Sequence, residues 1–274
     1  MKYFLSLIIL SFSFSIQIMN LTGNINNFSQ MNTGTHFSKN HRLSTNNIAG
    51  ISFIQLPSSI LFSEFFSQFS YKNLLITPRI GIVDYGTLSS ISNNDFNPSE
   101  SIVEVTLYKH TTNTRYGGSI AYVRSKIENY KSSLVLYNIG VAHAFFNNQF
   151  HINFSLENNI KIIKQYSNFM NEYHPYKRLN CNYSLQYLPL DVAIDFLHGG
   201  DFSSTSLAFK VDLHDNFNLY GAKKFYLSDI DYHIIDNISM GLAVITTKFQ
   251  FNFGIQLLSA SAISYGTSLI INIK

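Results

Sequence analysis

The chain has 274 residues, enough for one large β-domain or two small ones. Charged residues are 13% of it, against about 25% in soluble domains, so Asn, Ser, Thr and Gln carry much of the polarity. A formal charge of +3 without a basic run gives no surface for nucleic acid, and the lone Cys181 excludes an internal disulfide.

The first element is a leader. Lys2 precedes an apolar run from Phe4 to Phe14, and Ser13-Phe14-Ser15 offers small residues at cleavage spacing. This pattern predicts a secretory signal peptide over 1–15. The run is short for a membrane anchor, which needs about 20 residues. Segment 16–47 is polar, Asn/Ser/Thr-rich, and reads as a plug or a tail. No later segment resembles a transmembrane helix.

From 48 to 274 the dominant signal is period two, the mark of strands with one apolar and one polar face. Candidate strands fall at 49–56, 59–70, 74–85, 101–110, 116–125 and 132–146. They continue at 150–157, 160–167, 179–187, 190–197, 207–213, 216–226, 238–244, 249–257 and 263–273, which makes about fourteen once uncertain ends are merged. Turn signals punctuate them: Asn93-Asn94-Asp95, Asn147-Asn148-Gln149, His198-Gly199-Gly200-Asp201 and His214-Asp215-Asn216. Gly199 and Gly200 are expected to supply positive φ in a tight turn. Tyr71, Tyr108, Tyr130, Tyr166, Tyr187 and Tyr226 fall near strand ends, where a membrane barrel carries an aromatic girdle.

An exported all-β chain with this alternation is either a sandwich or a membrane barrel. The polar faces are mostly Asn, Ser, Gln, Gly and Ala, which suits a barrel lumen better than a water-facing sandwich. Strand lengths of about 9–11 residues match a tilted membrane strand. The expectation is therefore a transmembrane antiparallel β-barrel in the outer membrane of a Gram-negative bacterium, with outer-membrane lipid as its surroundings. Phe249, Phe251, Phe253, Ile255 and Leu257 are expected to face lipid. Arg79, Glu104, Asp191, Asp195, Lys210 and Asp212 fall on polar faces and are expected in the lumen, either salt-bridged to one another or lining a pore.

No catalytic, cofactor-binding or metal-binding residues are predicted. Gly117-Gly118-Ser119 lies inside an alternating strand, where a nucleophile elbow needs a strand-to-helix turn. The nine histidines lack ligand spacing.

The stretch from Ile82 to His143 carries a likeness. Asp84-Tyr85-Gly86-Thr87 ends a strand, Ser125-Lys126-Ile127-Glu128-Asn129-Tyr130-Lys131-Ser132-Ser133 forms a hairpin, and Leu136-Tyr137-Asn138-Ile139-Gly140 follows. This order resembles the PorV/PorQ family of Bacteroidota outer-membrane proteins, PorQ more than PorV. Asn138 stands where that family usually has Asp, and Asn47-Ile48-Ala49-Gly50 only echoes the Asn-Pro-Ala-Gly entry of FadL-like barrels. The resemblance implies a FadL-like barrel of about fourteen strands and a non-enzymatic role in type IX secretion or surface attachment, with secretion or attachment-complex proteins as partners. The alternative is a FadL-like channel for hydrophobic or small solutes.

Overall fold

The computed structural model describes residues 47–89, 95–128, 130–147, 149–165, 175–199, 202–226, 236–259 and 262–273. The expected leader and segment 16–46 lie outside the described residues, as does Tyr166. The strands are β1 (Asn47–Gln55), β2 (Leu61–Tyr71), β3 (Leu74–Asp84), β4 (Leu88–Ser89), β5 (Asp95–Phe96) and β6 (Ser99–His110). Next come β7 (Thr114–Ile127), β8 (Tyr130–Phe145), β9 (Phe150–Lys164), β10 (Tyr176–Ser184) and β11 (Leu190–Gly199). The chain continues with β12 (Phe202–His214), β13 (Phe217–Tyr226), β14 (Ile238–Ile245), β15 (Phe249–Ser259) and β16 (Ala262–Ile273).

Apart from the small β4–β5 pair, the described strands form one closed barrel of fourteen, each antiparallel to its neighbours in chain order. Closure joins β1 to β16 from Asn47↔Ile273 to Gln55↔Tyr265. A closed barrel leaves no strand edge unpaired, the condition for a sheet in lipid.

The period-two pattern assigns the two faces. In β15, Phe251 is 43% exposed while Asn252 next to it is 0% exposed. Every barrel strand presents at least one exposed large apolar residue, among them Phe53, Phe65, Ile80, Ile120, Phe154, Ile194, Phe209 and Leu269. A contiguous apolar belt of this extent would aggregate in water and is the natural boundary with acyl chains. The chain is an outer-membrane β-barrel.

The connections give the orientation. One end carries short turns at 72–73, 111–113, 146–149, 185–189, 215–216 and 246–248. The other carries the long connections 85–98, 165–175 and 227–237. Short turns are periplasmic and long loops extracellular in such barrels.

Several expectations need correction. Segment 150–157 and the first part of 160–167, as far as Lys164, are one strand, β9. The register with β8 shifts between Tyr137 and Ile139, and Asn158 has φ 56, so a β-bulge flips the phase and mimics a break. Leu185 and Tyr187 lie beyond the end of β10. Gly199 belongs to β11, and Gly86 is the positive-φ glycine among the described residues. Gly199 is instead covered by the Tyr176 ring, which occupies the space of a Cβ. Tyr108 and Tyr226 take the inward phase of β6 and β13 rather than joining a girdle, whereas Tyr71 and Tyr130 are exposed.

Pro78 sits inside β3, where a closed barrel offers no edge position for it. The β2–β3 ladder accordingly lapses between Phe66↔Arg79 and Phe69↔Ile76. A proline has no N–H to donate to that ladder.

Candidate functional site: the inner wall

The inward positions of adjacent strands form rows, because strands paired in register share the same phase. Three charged clusters occupy them. Glu64, Arg79 and Glu104 come from β2, β3 and β6: Arg79 lies 2.8 Å from Glu104 and 3.6 Å from Glu64. Glu157, Arg178 and Asp195 repeat this arrangement on β9, β10 and β11, at 3.3 Å and 3.4 Å. All six side chains are buried. Each arginine bridges two carboxylates on flanking strands, which provides the paired geometry a buried charge requires.

The third cluster lies near the periplasmic end and is more open. Lys210 approaches Asp212 at 2.6 Å and Asp191 at 3.5 Å. Its partly exposed groups meet water, so its contribution to stability is small.

Between the charges runs an amide and hydroxyl network. Asn153 donates to Asn180 Oδ1 at 2.9 Å, Asn182 donates to the same oxygen at 2.6 Å, and Asn252 donates to Ser268 at 2.8 Å. Asn138 secures the β9 bulge: its Nδ2 donates to Ser119 Oγ at 2.9 Å, and its Oδ1 accepts from the Asn158 backbone N–H at 2.7 Å. An ionised aspartate could accept the second bond but not donate the first. This dual bonding suits asparagine at the position where the PorV/PorQ pattern has Asp.

Toward the extracellular end the wall is apolar on β1–β3 and β6–β8, with Glu100 buried among them, whereas β12, β14 and β16 keep the buried Ser204, Ser206, Ser239 and Ser264 there. Ile54, Ile60, Phe62 and Val83 cluster there with Leu56 and Tyr85 against them. On β6 to β8, Ile102, Ala121, Val123, Leu134 and Leu136 form a second buried group that Ile160 joins.

Of the residues expected in the lumen, Arg79, Glu104, Asp191, Asp195, Lys210 and Asp212 all lie on the inward face and within the three clusters. Of those expected against lipid, Phe249, Phe251 and Ile255 are exposed on the outer face, and Phe253 and Leu257 are half-buried. The sequence reading left Glu64, Glu157 and Arg178 out of the charged set. Glu157 already closes the polar alternation His151-Asn153-Ser155-Glu157, and extending that of Asn180-Asn182 by one step finds Arg178. Glu64 lies in Phe62-Ser63-Glu64-Phe65-Phe66, where apolar residues on both faces hide the phase. Ser119 lies within β7, bonded to Asn138, as a strand residue. Among the described residues, no three His, Cys, Asp or Glu side chains converge as a metal-ligand set.

Comparison with solved structures gives the fold a place among known barrels. The Pseudomonas putida toluene transporter TodX matches with a TM-score of 0.65 at 7% identity, over 88% of this chain and 95% of that one. A deltaS2 mutant of the TodX monoaromatic hydrocarbon channel gives 0.63 at 8%, over 84% and 89%. A Pseudomonas aeruginosa FadL homologue gives 0.54 at 7%, over 84% and 91%. The likeness is one of fold: a FadL-like outer-membrane barrel. No family model matches the chain, and no curated protein matches it. The PorV/PorQ assignment therefore gains nothing beyond the FadL-like fold it implied.

Proposed function

We propose that this protein is a non-enzymatic outer-membrane channel that admits hydrophobic or small solutes. The observation carrying this reading is the apolar side of the inner wall at the extracellular end, on β1–β3 and β6–β8, from Ile54 and Phe62 to Leu134 and Leu136. A general aqueous pore is lined by polar groups throughout, whereas apolar solutes are bound in concave sites with mainly apolar linings. The fold neighbours described as a toluene transporter and a monoaromatic hydrocarbon channel support the same solute class.

The test is uptake of radiolabelled toluene by Gram-negative cells producing the full chain. Initial uptake should exceed that of vector-only cells, and Phe62→Asp should return it toward the vector level. Folding of the variant is checked by its mobility on unheated gels. Uptake no faster than the vector's, with folded barrel present, contradicts the channel.

A second reading, an accessory of type IX secretion or attachment, rests on the resemblance over 82–143. The structure folds that stretch mainly into the contiguous strands β3, β6, β7 and β8. Specific co-purification with secretion proteins, combined with no solute uptake, would favour it.

A further inference from the structure

Beyond the lumen, the outer face carries a concentration of positive charge in one place. The upper parts of β7, β8 and β9 turn Arg124, Lys126, Lys131, Lys161 and Lys164 outward, and all five are exposed. The pairing register brings them together in successive rows. Lys161 lies opposite Val135, itself opposite Tyr122; Arg124 and Lys164 flank Ser133; Lys126 lies directly opposite Lys131. With strands about 4.8 Å apart and alternate residues about 6.7 Å apart, the five cations fill a patch of roughly 10 Å by 13 Å.

The bulge at Asn158 is what makes this possible. It reverses the phase of β9, so Lys161 faces out while Ile160 and Ile162 face in, and a second register shift, at Ile163, brings Lys164 opposite Ser133 on the outer face. The last pair between β9 and β10 is Glu157↔Tyr176, so the segment above it is held through β8 and extends the wall toward the extracellular side. Directly below the cations the same face is apolar: Ile120 on β7 and Tyr137 and Ile139 on β8 are exposed, and Tyr122 is exposed in the row of Lys161. The patch therefore sits where the hydrocarbon belt gives way to the headgroups of the outer leaflet.

Like charges paired across strands are destabilising unless something neutralises them. Among the described residues none of the five forms an ion pair, and the exposed Glu128 in the nearby turn bridges none of them. The inward Glu100 is turned away, bonded to Ser125 at 2.8 Å. Elsewhere at this end, the outward Lys223 is satisfied by the Asp236 carbonyl at 2.8 Å.

We infer that this patch binds the phosphate groups of an anionic glycolipid in the outer leaflet, fixing lipid against the β7–β9 side of the barrel. Charge complementarity, the height above the apolar belt and the outward direction all select a membrane lipid over a soluble anion. The inference depends on membrane placement and orientation and is independent of what passes through the lumen.

The experiment is native mass spectrometry of the detergent-solubilised full chain titrated with bis-phosphorylated lipid A, with its dephosphorylated form and with inorganic phosphate. The parent should retain the phosphorylated lipid, bind the dephosphorylated form more weakly and bind inorganic phosphate least. Replacing all five cations by Gln should weaken retention about tenfold or more, since each cation near an anionic lipid surface adds to the attraction. Lys126→Gln/Lys131→Gln, confined to the exposed hairpin, provides a milder variant with a smaller loss in the same direction. Lys72→Gln/Lys248→Gln at the periplasmic end should leave retention unchanged. Equal retention by parent and a folded variant, equal retention of the two lipid forms, or equal occupancy by inorganic phosphate would overturn the inference.

Discussion

Arg178 shows how individual residues hold this wall together. It is buried between Glu157 and Asp195, with both carboxylates within 3.4 Å. Replacing it with Met keeps an unbranched side chain but removes the guanidinium, which leaves two buried carboxylates without it. Lys224, in the same row as Asp195 by way of Ser206, compensates at most one of them. Arg178→Met should cost about 3–5 kcal/mol, read as a lower midpoint in urea unfolding from lipid vesicles. Adding Glu157→Gln and Asp195→Asn should recover much of the loss. A single variant as stable as the parent would show that the cluster contributes nothing. The sequence reading reached half of this picture: it placed Asp195 inward by phase, but spacing along one strand says nothing about which charges meet across three.

At the scale of elements, strand identity was legible almost everywhere because one face is apolar and the other polar. It failed where the phase breaks. Glu157, Asn158 and Asn159 interrupt the alternation of β9, and a phase break in sequence is the same whether a strand ends or bulges. The difference lies in Asn138, which binds the Asn158 N–H from the neighbouring strand and is far away in sequence. Deleting Asn158 removes the extra residue, so β9 should pair with β8 in one unbroken phase with Lys161 still outward and Ile160 and Ile162 still inward. The predicted result is a folded barrel that keeps lipid retention at the β7–β9 patch. Loss of retention in a folded barrel would mean that the bulge does more than take up one extra residue. Pro78 gives the opposite lesson: it lies within the expected strand 74–85, and the structure accommodates it by a lapse in one ladder.

For the whole molecule, the central claim is that one alternation separates lipid outside from a polar and partly apolar wall inside. Composition pointed to this, because the polar faces lack the charges that a water-exposed sheet carries. The ring of fourteen strands and its closure between β1 and β16 depend on long-range pairing that no local pattern records. The most direct measurement is a nitroxide scan along β15. Single cysteines would be placed at positions 249 to 256 in a Cys181→Ser background, with the chain in lipid vesicles. Oxygen, which partitions into the acyl region, should relax labels at 249, 251, 253 and 255 strongly, and those at 250, 252, 254 and 256 weakly. Uniform accessibility along the strand, or strong relaxation at the even positions, would contradict the account.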